Sequence, residues 1–347
     1  MRRNPSHFYL KINGAEMKIL ILRFSSMGDI LLATPVLDAI KKNYPDSQID
    51  WVVNKIFEET LRSNPLINKV LSFSDRQGLR SVKKEIDSVR YDIIFDLHKN
   101  SKTYYLSAFK KNVFRYNKRV FDRFMLVHFK QKYKVIPATE MYFAALEEAC
   151  IKTPSDWRLS FYLNEAKEAE TVKKYGLKDS RYIVFVPGAS YYTKMWPKEY
   201  FKELAEKILQ EEMKRKIIVL GKGIQEEAIG NFICVGNSEN CIDLTGKLNL
   251  NETAAVLKYA EIVVTNDNGP MHLAECFKKK IIAIFGCTTE EFGFFPYSSD
   301  HVIIESKDLE CRPCTHFGKK KCPEGHFKCM KNITPDSVYK AIGDFTE

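Results

Sequence analysis

Short apolar runs alternate with amphipathic segments along the first half of the chain. Apolar runs bounded by polar residues predict strands buried on both faces of a parallel sheet. The predicted strands of this half are Lys18–Leu22, Ile49–Val53, Val70–Phe73 and Asp92–Leu97. The helices predicted between them are Ala33–Asn43, a segment around Phe57–Arg62, and Val82–Val89. Strands that alternate with helices indicate an α/β unit with a mostly parallel sheet.

The same alternation begins again in the second half. The predicted strands there are Tyr182–Val186, Lys216–Leu220, Glu261–Thr265 and Lys280–Phe285. Each of these strands leads into a polar turn that contains glycine. Because the carboxyl ends of parallel strands share one edge of a sheet, these turns predict a ligand site. The predicted fold class is therefore α/β, with two Rossmann-like domains and mostly parallel sheets.

The length of 347 residues favours two domains, since single cores rarely keep growing at that size. Residues 1–16 are expected to be a loose extension, or to precede a functional start at Met17. The predicted N-terminal domain covers 17–155 and the predicted second domain covers 181–330. The linker between them, 156–180, has an extended run at Trp157–Leu163 and a charged helix at Glu165–Tyr175. A final helix over 331–347 is predicted to pack back on the first domain.

Composition and charge narrow the class of protein. Hydrophobic residues make up 45% of the chain and charged residues 28%, which is typical of soluble globular proteins. The net charge of +10 indicates an anionic partner, which could be a nucleic acid, a phosphorylated lipid surface or a nucleotide. No apolar run approaches the roughly 20 residues of a membrane span, and no secretory leader is visible, so a cytoplasmic location is expected.

The turn after the first strand, Arg23–Ile30, contains an acid at the predicted ligand edge. Gly28 allows a tight turn, and Asp29 is predicted in the first turn of the following helix. Asp29 either caps this helix or acts as a base in the site. With one glycine between Phe24 and Asp29, the turn lacks the dinucleotide fingerprint, which disfavours a nicotinamide dehydrogenase.

The loop after Tyr182–Val186 has the groups of a phosphate receptor. Ser190 and Thr193 offer hydroxyls, Lys194 offers a cation, and Pro197 is suited to the first turn of a helix. The glycine–lysine–hydroxyl order of a nucleotide triphosphatase P-loop is absent. Glycine and lysine are also common in loops that bind nothing.

Two further turns supply acids. Glu226 could accept both hydroxyls of a ribose, with Glu227 as the alternative, although acids at a helix start are also ordinary surface residues. The turn after Glu261–Thr265 contains an acid, an amide that can cap a helix, the start of that helix and a histidine. The acid could instead only cap the helix, and the histidine could instead only pack in the core. The residues of this turn that are predicted to bind the ligand, a sugar-nucleotide donor in the reaction considered below, are Asp267, Asn268, Gly269, Pro270 and His272.

A basic and aromatic stretch lies between Lys110 and Lys134. Its alternatives are a solvated face, a site for an acidic acceptor or anionic membrane surface, and a surface for single-stranded nucleic acid. The predicted acceptor-binding residues in this stretch are Lys110, Lys111, Arg115, Arg119 and Arg123, and those in the Asp29 turn are Ser26, Met27 and Gly28.

The cysteine-bearing tail has one close pair followed by two separated cysteines. Cys311, Cys314, Cys322 and Cys329 are candidates for a structural zinc site, with packed thiols as the alternative. The odd total of nine cysteines argues against complete internal pairing.

These turns could together hold a sugar nucleotide. Asp29 would take the proton of an attacking hydroxyl, while Lys194 and helix N–H groups stabilise the departing diphosphate. Such chemistry demands no divalent ion, so no cofactor is expected to be required.

From Met17 onward the chain resembles the bacterial heptosyltransferases of glycosyltransferase family 9. The resemblance rests on Ser25-Ser26-Met27-Gly28-Asp29, Pro187-Gly188-Ala189-Ser190 with Lys194 and Trp196-Pro197, Asn266–His272, and the cysteine tail. It implies a GT-B fold with two Rossmann-like domains facing a central cleft. It also implies inverting transfer of heptose from ADP-L-glycero-D-manno-heptose to the lipopolysaccharide inner core.

By motif, the resemblance implies that Asp29 is the catalytic base, Lys194 a phosphate ligand and Glu226 the ribose acid. The implied acceptor is an anionic Kdo-bearing lipid A core at the inner face of the cytoplasmic membrane, and the expected protein is a monomer with no nucleic-acid partner. The cysteines favour the heptosyltransferase II branch. The alternatives are another GT-B sugar-nucleotide transferase or epimerase and, outside enzymology, a basic nucleic-acid-binding protein with a zinc-bearing tail.

Overall fold

The computed structural model describes residues 17–179, 181–211, 215–236 and 239–345, so the predicted extension over 1–16 lies outside the described residues. The chain forms two compact units. Unit 1 extends to Arg119 and includes Pro137–Tyr162, whereas unit 2 contains Val120–Ile136 and continues from Leu163.

The sheet of unit 1 is wholly parallel, with strand order β3-β2-β1-β4-β5. The strands are β1 (Lys18–Leu22), β2 (Gln48–Asn54), β3 (Lys69–Phe73), β4 (Ile93–Asp96) and β5 (Val113–Arg115). In the register of β1 with β4, Leu22 pairs with Asp96, so both strands end at the same edge.

The helices of unit 1 cover this sheet, and polar side chains cap some of them. They are α1 (Met27–Leu32), α2 (Pro35–Asn43), α3 (Arg76–Ser88), α4 (Ser101–Leu106) and α6 (Ala138–Glu148), with a 3-10 helix at Lys55–Thr60. The side chain of Asp75 caps α3 and that of Asn100 caps α4. Leu20, Leu22 and Phe24 lie in a core cluster that also includes Val82 and Ile86 of α3.

The sheet of unit 2 is also wholly parallel, with strand order β11-β10-β9-β6-β7-β8. The strands are β6 (Tyr182–Val186), β7 (Lys216–Val219), β8 (Cys241–Asp243), β9 (Ile262–Asn266), β10 (Lys280–Phe285) and β11 (His301–Glu305). The central strands β6 and β9 are buried at every position, as expected for strands covered on both faces.

The helices of unit 2 are α5 (Val120–Phe129), α7 (Glu165–Tyr175), α8 (Lys198–Glu211), α9 (Ile224–Cys234), α10 (Leu250–Tyr259), α11 (Gly269–Cys276), α12 (Lys328–Lys331) and α13 (Pro335–Asp344), with 3-10 helices at Tyr192–Lys194 and Glu290–Phe292. Within the described residues no helix is both long and apolar enough to span a membrane.

The predicted α/β class and the eight predicted strands are confirmed, whereas β5, β8 and β11 were not predicted. These three strands lie at sheet edges, and none has the uninterrupted buried run of a central strand. The extended run predicted at Trp157–Leu163 forms neither helix nor strand.

One segment groups with a different unit from the one the sequence suggested. The segment Val120–Ile136, predicted in the first domain, groups with unit 2. There the Lys130 ammonium donates to the carbonyl of Pro313 at 2.8 Å. In the C-terminal helix α13, Val338 and Ile342 are buried in the core of unit 2. The packing of this helix on the first domain stays a prediction.

Candidate active site

In unit 1, Asp29 lies in the first turn of α1, close to the carboxyl end of β1. Its Oδ1 is 2.6 Å from Nη2 of Arg23. Its Oδ2 accepts hydrogen bonds from the backbone N–H and the hydroxyl of Ser26, at 3.0 and 2.8 Å. Arg23 is buried, and its Nη1 donates to the carbonyl of Leu97 at 2.6 Å. The acid is therefore held in one orientation, with 22% of its side chain exposed.

The surroundings of Asp29 favour the carboxylate. Burial alone would raise the pKa of Asp29, but the charge of Arg23 and the hydrogen bonds from Ser26 outweigh it and lower the pKa below its ordinary value. Asp29 is thus ionised at neutral pH and able to accept a proton. Met27 and Gly28, which were predicted to contact the acceptor with Ser26, belong to the same first turn.

His98, which the sequence analysis did not single out, follows β4 at the same edge. Its ring lies 4.9 Å from that of Phe24, between centroids. Burial, together with the charges of Arg23 and Lys118, lowers the pKa of His98 to about 3, so the imidazole is neutral. Its Nδ1 is buried and has no hydrogen-bond partner in the described part of the chain. The feature of the sequence that could have singled out His98 as a candidate site residue is its position directly after the buried run of β4.

In unit 2, two asparagines at the end of β9 fix the loop that follows β6. Nδ2 of Asn266 donates to the carbonyl of Pro187 at 2.7 Å, and Nδ2 of Asn268 donates to that of Gly188 at 2.8 Å. Asn268 also caps α11, because its Oδ1 accepts from the N–H of Met271 at 3.0 Å. The loop and the start of α11 are thereby joined.

Lys194 and Asp267 form an ion pair where these two segments meet. Nζ of Lys194 is 2.6 Å from Oδ2 of Asp267, and the two side chains are 15% and 9% exposed. The hydroxyl of Thr288, in the turn after β10, donates to the same oxygen at 2.8 Å. The predicted residues Gly269 and Pro270 open α11, whose first turn has N–H groups without intrahelical partners. A cation beside such a helix start suits a diphosphate.

Glu226 reaches the same loop. A Cβ on Gly188 would lie 2.3 Å from the carboxyl carbon of Glu226, and a Cβ on Gly221 would lie 2.6 Å from its Oε2. A side chain at either position would therefore push the carboxylate of Glu226 away from the place that it occupies. The alternative acid, Glu227, instead lies against Gly246. Burial raises the pKa of Glu226, and a hydrogen bond from the N–H of Lys222 partly offsets that effect.

Three other predicted donor ligands differ in their surroundings. Ser190 is exposed. Thr193 is 1% exposed, and its hydroxyl donates to the carbonyl of Lys319 and accepts from the N–H of the same residue. Nδ1 of the buried His272 lies 2.9 Å from Oε2 of the buried Glu275. Thr193 and His272 thus have structural contacts within unit 2.

The predicted acceptor-binding cations are not brought into one cluster. Lys110, Lys111, Arg115 and Arg119 belong to unit 1, whereas Arg123 belongs to unit 2. Lys111 is exposed, and Arg119 is half-buried.

Three of these cations have partners within their own unit. Nζ of Lys110 donates to the carbonyl of Ile86 at 2.9 Å. Nε of Arg115 donates to Oδ2 of the buried Asp96 at 3.2 Å. Arg123 lies 5.8 Å from the ring centroid of Phe294. Part of the basic stretch therefore supports the fold.

The tail cysteines are free thiols, and no group of three or more His, Cys, Asp and Glu side chains among the described residues could hold a metal ion. The Cys314 thiol is hydrogen-bonded to Cys287, and this bond, with the charges of Lys319 and Lys130, lowers the pKa of Cys314 to about 7. Cys311, Cys322 and Cys329 lie on the same tail. The structural zinc ion stays a prediction, which metal analysis of the purified protein would decide.

Comparison with known proteins agrees with this arrangement. Residues 79–327 match the family model described as glycosyltransferase family 9 (heptosyltransferase). Lipooligosaccharide heptosyltransferase 2 of Campylobacter jejuni is 29% identical, over 93% of this chain and 96% of that protein.

Two solved structures share the fold. A glycosyl transferase family 9 protein from Veillonella parvula has a TM-score of 0.77 at 23% identity, covering 95% of this chain and 97% of its own. Escherichia coli ADP-heptose lps heptosyltransferase II has a TM-score of 0.72 at 22% identity, covering 95% and 98%. The fold is thus that of the GT-B class.

Proposed function

Because the chain belongs to glycosyltransferase family 9, the heptosyltransferase family, and is therefore a glycosyltransferase, we propose that it transfers L-glycero-D-manno-heptose from ADP-heptose to the inner core of lipopolysaccharide. Support for the sugar comes from the family and from relatives that are lipooligosaccharide or lipopolysaccharide heptosyltransferases. The heptosyltransferase II step is the one we favour, since this enzyme recurs among the relatives.

The observation that supports the proposal most strongly is the donor side of unit 2. Lys194, Glu226 and Asp267 come from the turns after three different strands, and each contacts or closely approaches the Gly188 loop or the start of α11. We assign the diphosphate to Lys194, Ser190 and the N–H groups of α11, and the ribose hydroxyls to Glu226.

The proposed reaction inverts the anomeric carbon. Asp29 takes the proton from an acceptor hydroxyl, and the resulting oxygen attacks the anomeric carbon of the donor as the bond to the diphosphate breaks. ADP leaves with the electron pair of that bond, and Lys194 stabilises the added negative charge. Arg23 keeps Asp29 ionised before the reaction, because it lies 2.6 Å from the carboxylate.

The proposed acceptor is an anionic Kdo-bearing lipid A core, which matches the net charge of +10. We assign acceptor contacts to the Ser26–Gly28 turn and to exposed cations of the 110–134 stretch. The enzyme would act from the cytoplasm as a monomer at the inner face of the membrane that holds this acceptor.

The test is transfer of radiolabelled heptose from ADP-heptose to truncated lipopolysaccharide acceptors that bear zero or one heptose. We expect transfer to the acceptor with one heptose, and competition by ADP but not by UDP or GDP. Transfer only to the acceptor without heptose would reassign the step. Absence of transfer to both, with tight binding of UDP or GDP, would contradict the heptose donor and favour another GT-B sugar-nucleotide enzyme.

A further inference from the structure

Helix α5 exposes an unusual number of large apolar side chains for a surface helix. Val120 is 68% exposed, Phe121 73%, Phe124 50% and Phe129 65%. The opposite side of the helix is anchored in the protein, because Leu126 is 1% exposed. Val120, Phe121 and Phe124 share one face of the helix by their spacing, and the rings of Phe124 and Phe129 lie 6.1 Å apart, between centroids. Exposed apolar side chains grouped in this way mark an interaction surface.

A further exposed aromatic residue lies on the tail loop, which is joined to the end of α5. Phe317 is 61% exposed, and its ring lies 3.6 Å from that of His316, between centroids. Lys130 is the residue directly after α5, and its Nζ donates to the carbonyls of Cys311 and Pro313 at 3.3 and 2.8 Å. These bonds hold the tail loop against the end of α5.

The tail loop itself is firmly anchored in unit 2. The buried Arg312 donates to the carbonyl of Thr288 at 2.9 Å and to Oε2 of Glu305 at 2.8 Å. The backbone of Lys319 is bonded to Thr193 in both directions. The exposed Phe317 lies between these two anchors, so its exposure is not that of a free end.

Positive charge surrounds the exposed aromatics. Residues 120–134 contain four basic side chains and one acidic side chain, and residues 315–321 contain three lysines and no acid. Lys132 is 84% exposed, with its Nζ 3.9 Å from Glu291. Lys319, Lys320 and Lys321 are exposed as well. We call α5, residues 130–134 and residues 315–321 the aromatic–basic surface.

We propose that the aromatic–basic surface docks unit 2 on a bilayer that contains anionic phospholipid. Phenylalanine rings on one side of a helix enter the boundary between headgroups and acyl chains, and neighbouring lysines are attracted to the negative surface. The charge of the surface selects an anionic bilayer over a neutral one. The proposal rests on the proposed function only because the proposed acceptor is anchored in a membrane, where the enzyme must reach it.

The experiment is co-sedimentation of the full chain with vesicles of phosphatidylethanolamine and phosphatidylglycerol, compared with vesicles of phosphatidylcholine alone. We expect binding to the anionic vesicles that weakens as salt is raised. Phe121→Ser with Phe124→Ser should reduce partitioning on the order of tenfold. Lys320→Gln with Lys321→Gln should reduce it by about 5-fold per lysine at low salt.

Matched controls are available elsewhere on unit 2. Ile224→Ser with Val235→Ser removes two apolar side chains that are 88% and 56% exposed at the ends of α9. Lys173→Gln with Lys340→Gln removes two exposed lysines on α7 and α13. Both controls should bind vesicles as the wild type does.

Three outcomes would overturn the proposal. They are equal binding to neutral vesicles, wild-type partitioning of the phenylalanine variant, and tighter binding of a single-stranded oligonucleotide that is lost with the same substitutions. Transfer to a water-soluble acceptor without acyl chains should survive in both surface variants, with their melting temperatures unchanged. If the wild type binds vesicles but transfers no heptose, the reaction assignment fails and the docking surface stands.

Discussion

The candidate site residues of each unit include an ion pair near the carboxyl edge of the sheet, and these two pairs are built in opposite ways. In unit 1 the arginine side chain is 7% exposed and its aspartate partner Asp29 is 22% exposed. In unit 2 the order is reversed, because Lys194 is 15% exposed and Asp267 is 9% exposed. Both pairs have the same separation of 2.6 Å.

The anchored partner of each pair differs as well. Arg23 donates to the carbonyl of Leu97 and is the more buried member, so Asp29, although Ser26 also holds it, is the more accessible group. Asp267 accepts from Thr288, which fixes the acid and leaves the cation as the accessible group. The comparison teaches that an ion pair presents whichever member the fold buries less. We therefore expect chemistry from Asp29 and anion binding from Lys194.

Asp29→Asn should have the largest effect of any single change. Loss of a general base costs on the order of 10²- to 10⁴-fold in kcat, while ADP affinity should stay close to that of the wild type. Asp267→Asn, the matched change in unit 2, should cost less in kcat and more in KM for the donor. For both variants, steady-state kinetics measure kcat and the KM for the donor, and calorimetric titration measures the affinity for ADP. Equal losses from the two substitutions would break the contrast between the pairs.

Lys194→Gln should mainly disturb the donor. A charge-assisted contact to a diphosphate is lost, and Asp267 is left as a buried acid with no cation beside it. We expect a fall in kcat/KM of about 10²-fold, with weaker ADP binding. Lys173→Gln, which changes an exposed lysine on α7, is the control and should change neither quantity by more than a few-fold. ADP affinity unchanged in the Lys194 variant would contradict its assignment to the diphosphate.

The central parts of both sheets could be predicted from the sequence because they obey one strong rule. Strands such as β6 and β10 are covered on both faces, so their apolar runs fix their bounds to the residue. Edge strands such as β8, with three residues, lack that signal. The membership of α5 in unit 2 depends on contacts with a segment nearly two hundred residues later, such as that of Lys130 with Pro313. Local patterns do not contain such contacts.

The position of the candidate site residues in the fold was predictable to a similar degree, whereas their roles stay predictions. Position after a buried strand was enough to single out Asp29, Lys194, Glu226 and Asp267. It did not reveal that Arg23, which ends in the core, would support Asp29. Whether a side chain in such a turn faces a ligand or a neighbour depends on packing that no local pattern encodes.

Arg23→Met should shift the acid limb of the pH–rate profile. In the wild type the pKa of Asp29 lies below its ordinary value, so the ionised acid persists as the pH falls towards that lowered pKa. Without Arg23, burial would raise the pKa, and activity should be lost at a higher pH. The stabilising effect of the ion pair is present above the ordinary pKa of about 3.9 and is lost as the pH falls through the folded pKa.

The profile of kcat/KM between about pH 4 and pH 8 checks this shift. Arg23→Lys keeps the charge and should restore part of the wild-type profile, whereas a merely structural role would give a uniform loss at all pH values. Thermal melts of both variants identify any that fail to fold. An unshifted acid limb in a folded Arg23→Met protein would mean that Asp29 does not set that limb.

The smallest effect expected concerns the neighbouring acids Glu226 and Glu227, and it sharpens the assignment of unit 2 to the donor. Only the carboxylate of Glu226 lies against Gly188 and Gly221, and that of Glu227 lies against Gly246. If Glu226 accepts the ribose hydroxyls, Glu226→Gln should weaken ADP binding about tenfold and weaken 2′,3′-dideoxy-ADP binding little. Glu227→Gln should leave both affinities near those of the wild type. Calorimetric titration of the two nucleotides against the two variants gives four numbers, and an equal loss for both nucleotides in Glu226→Gln would place the ribose elsewhere.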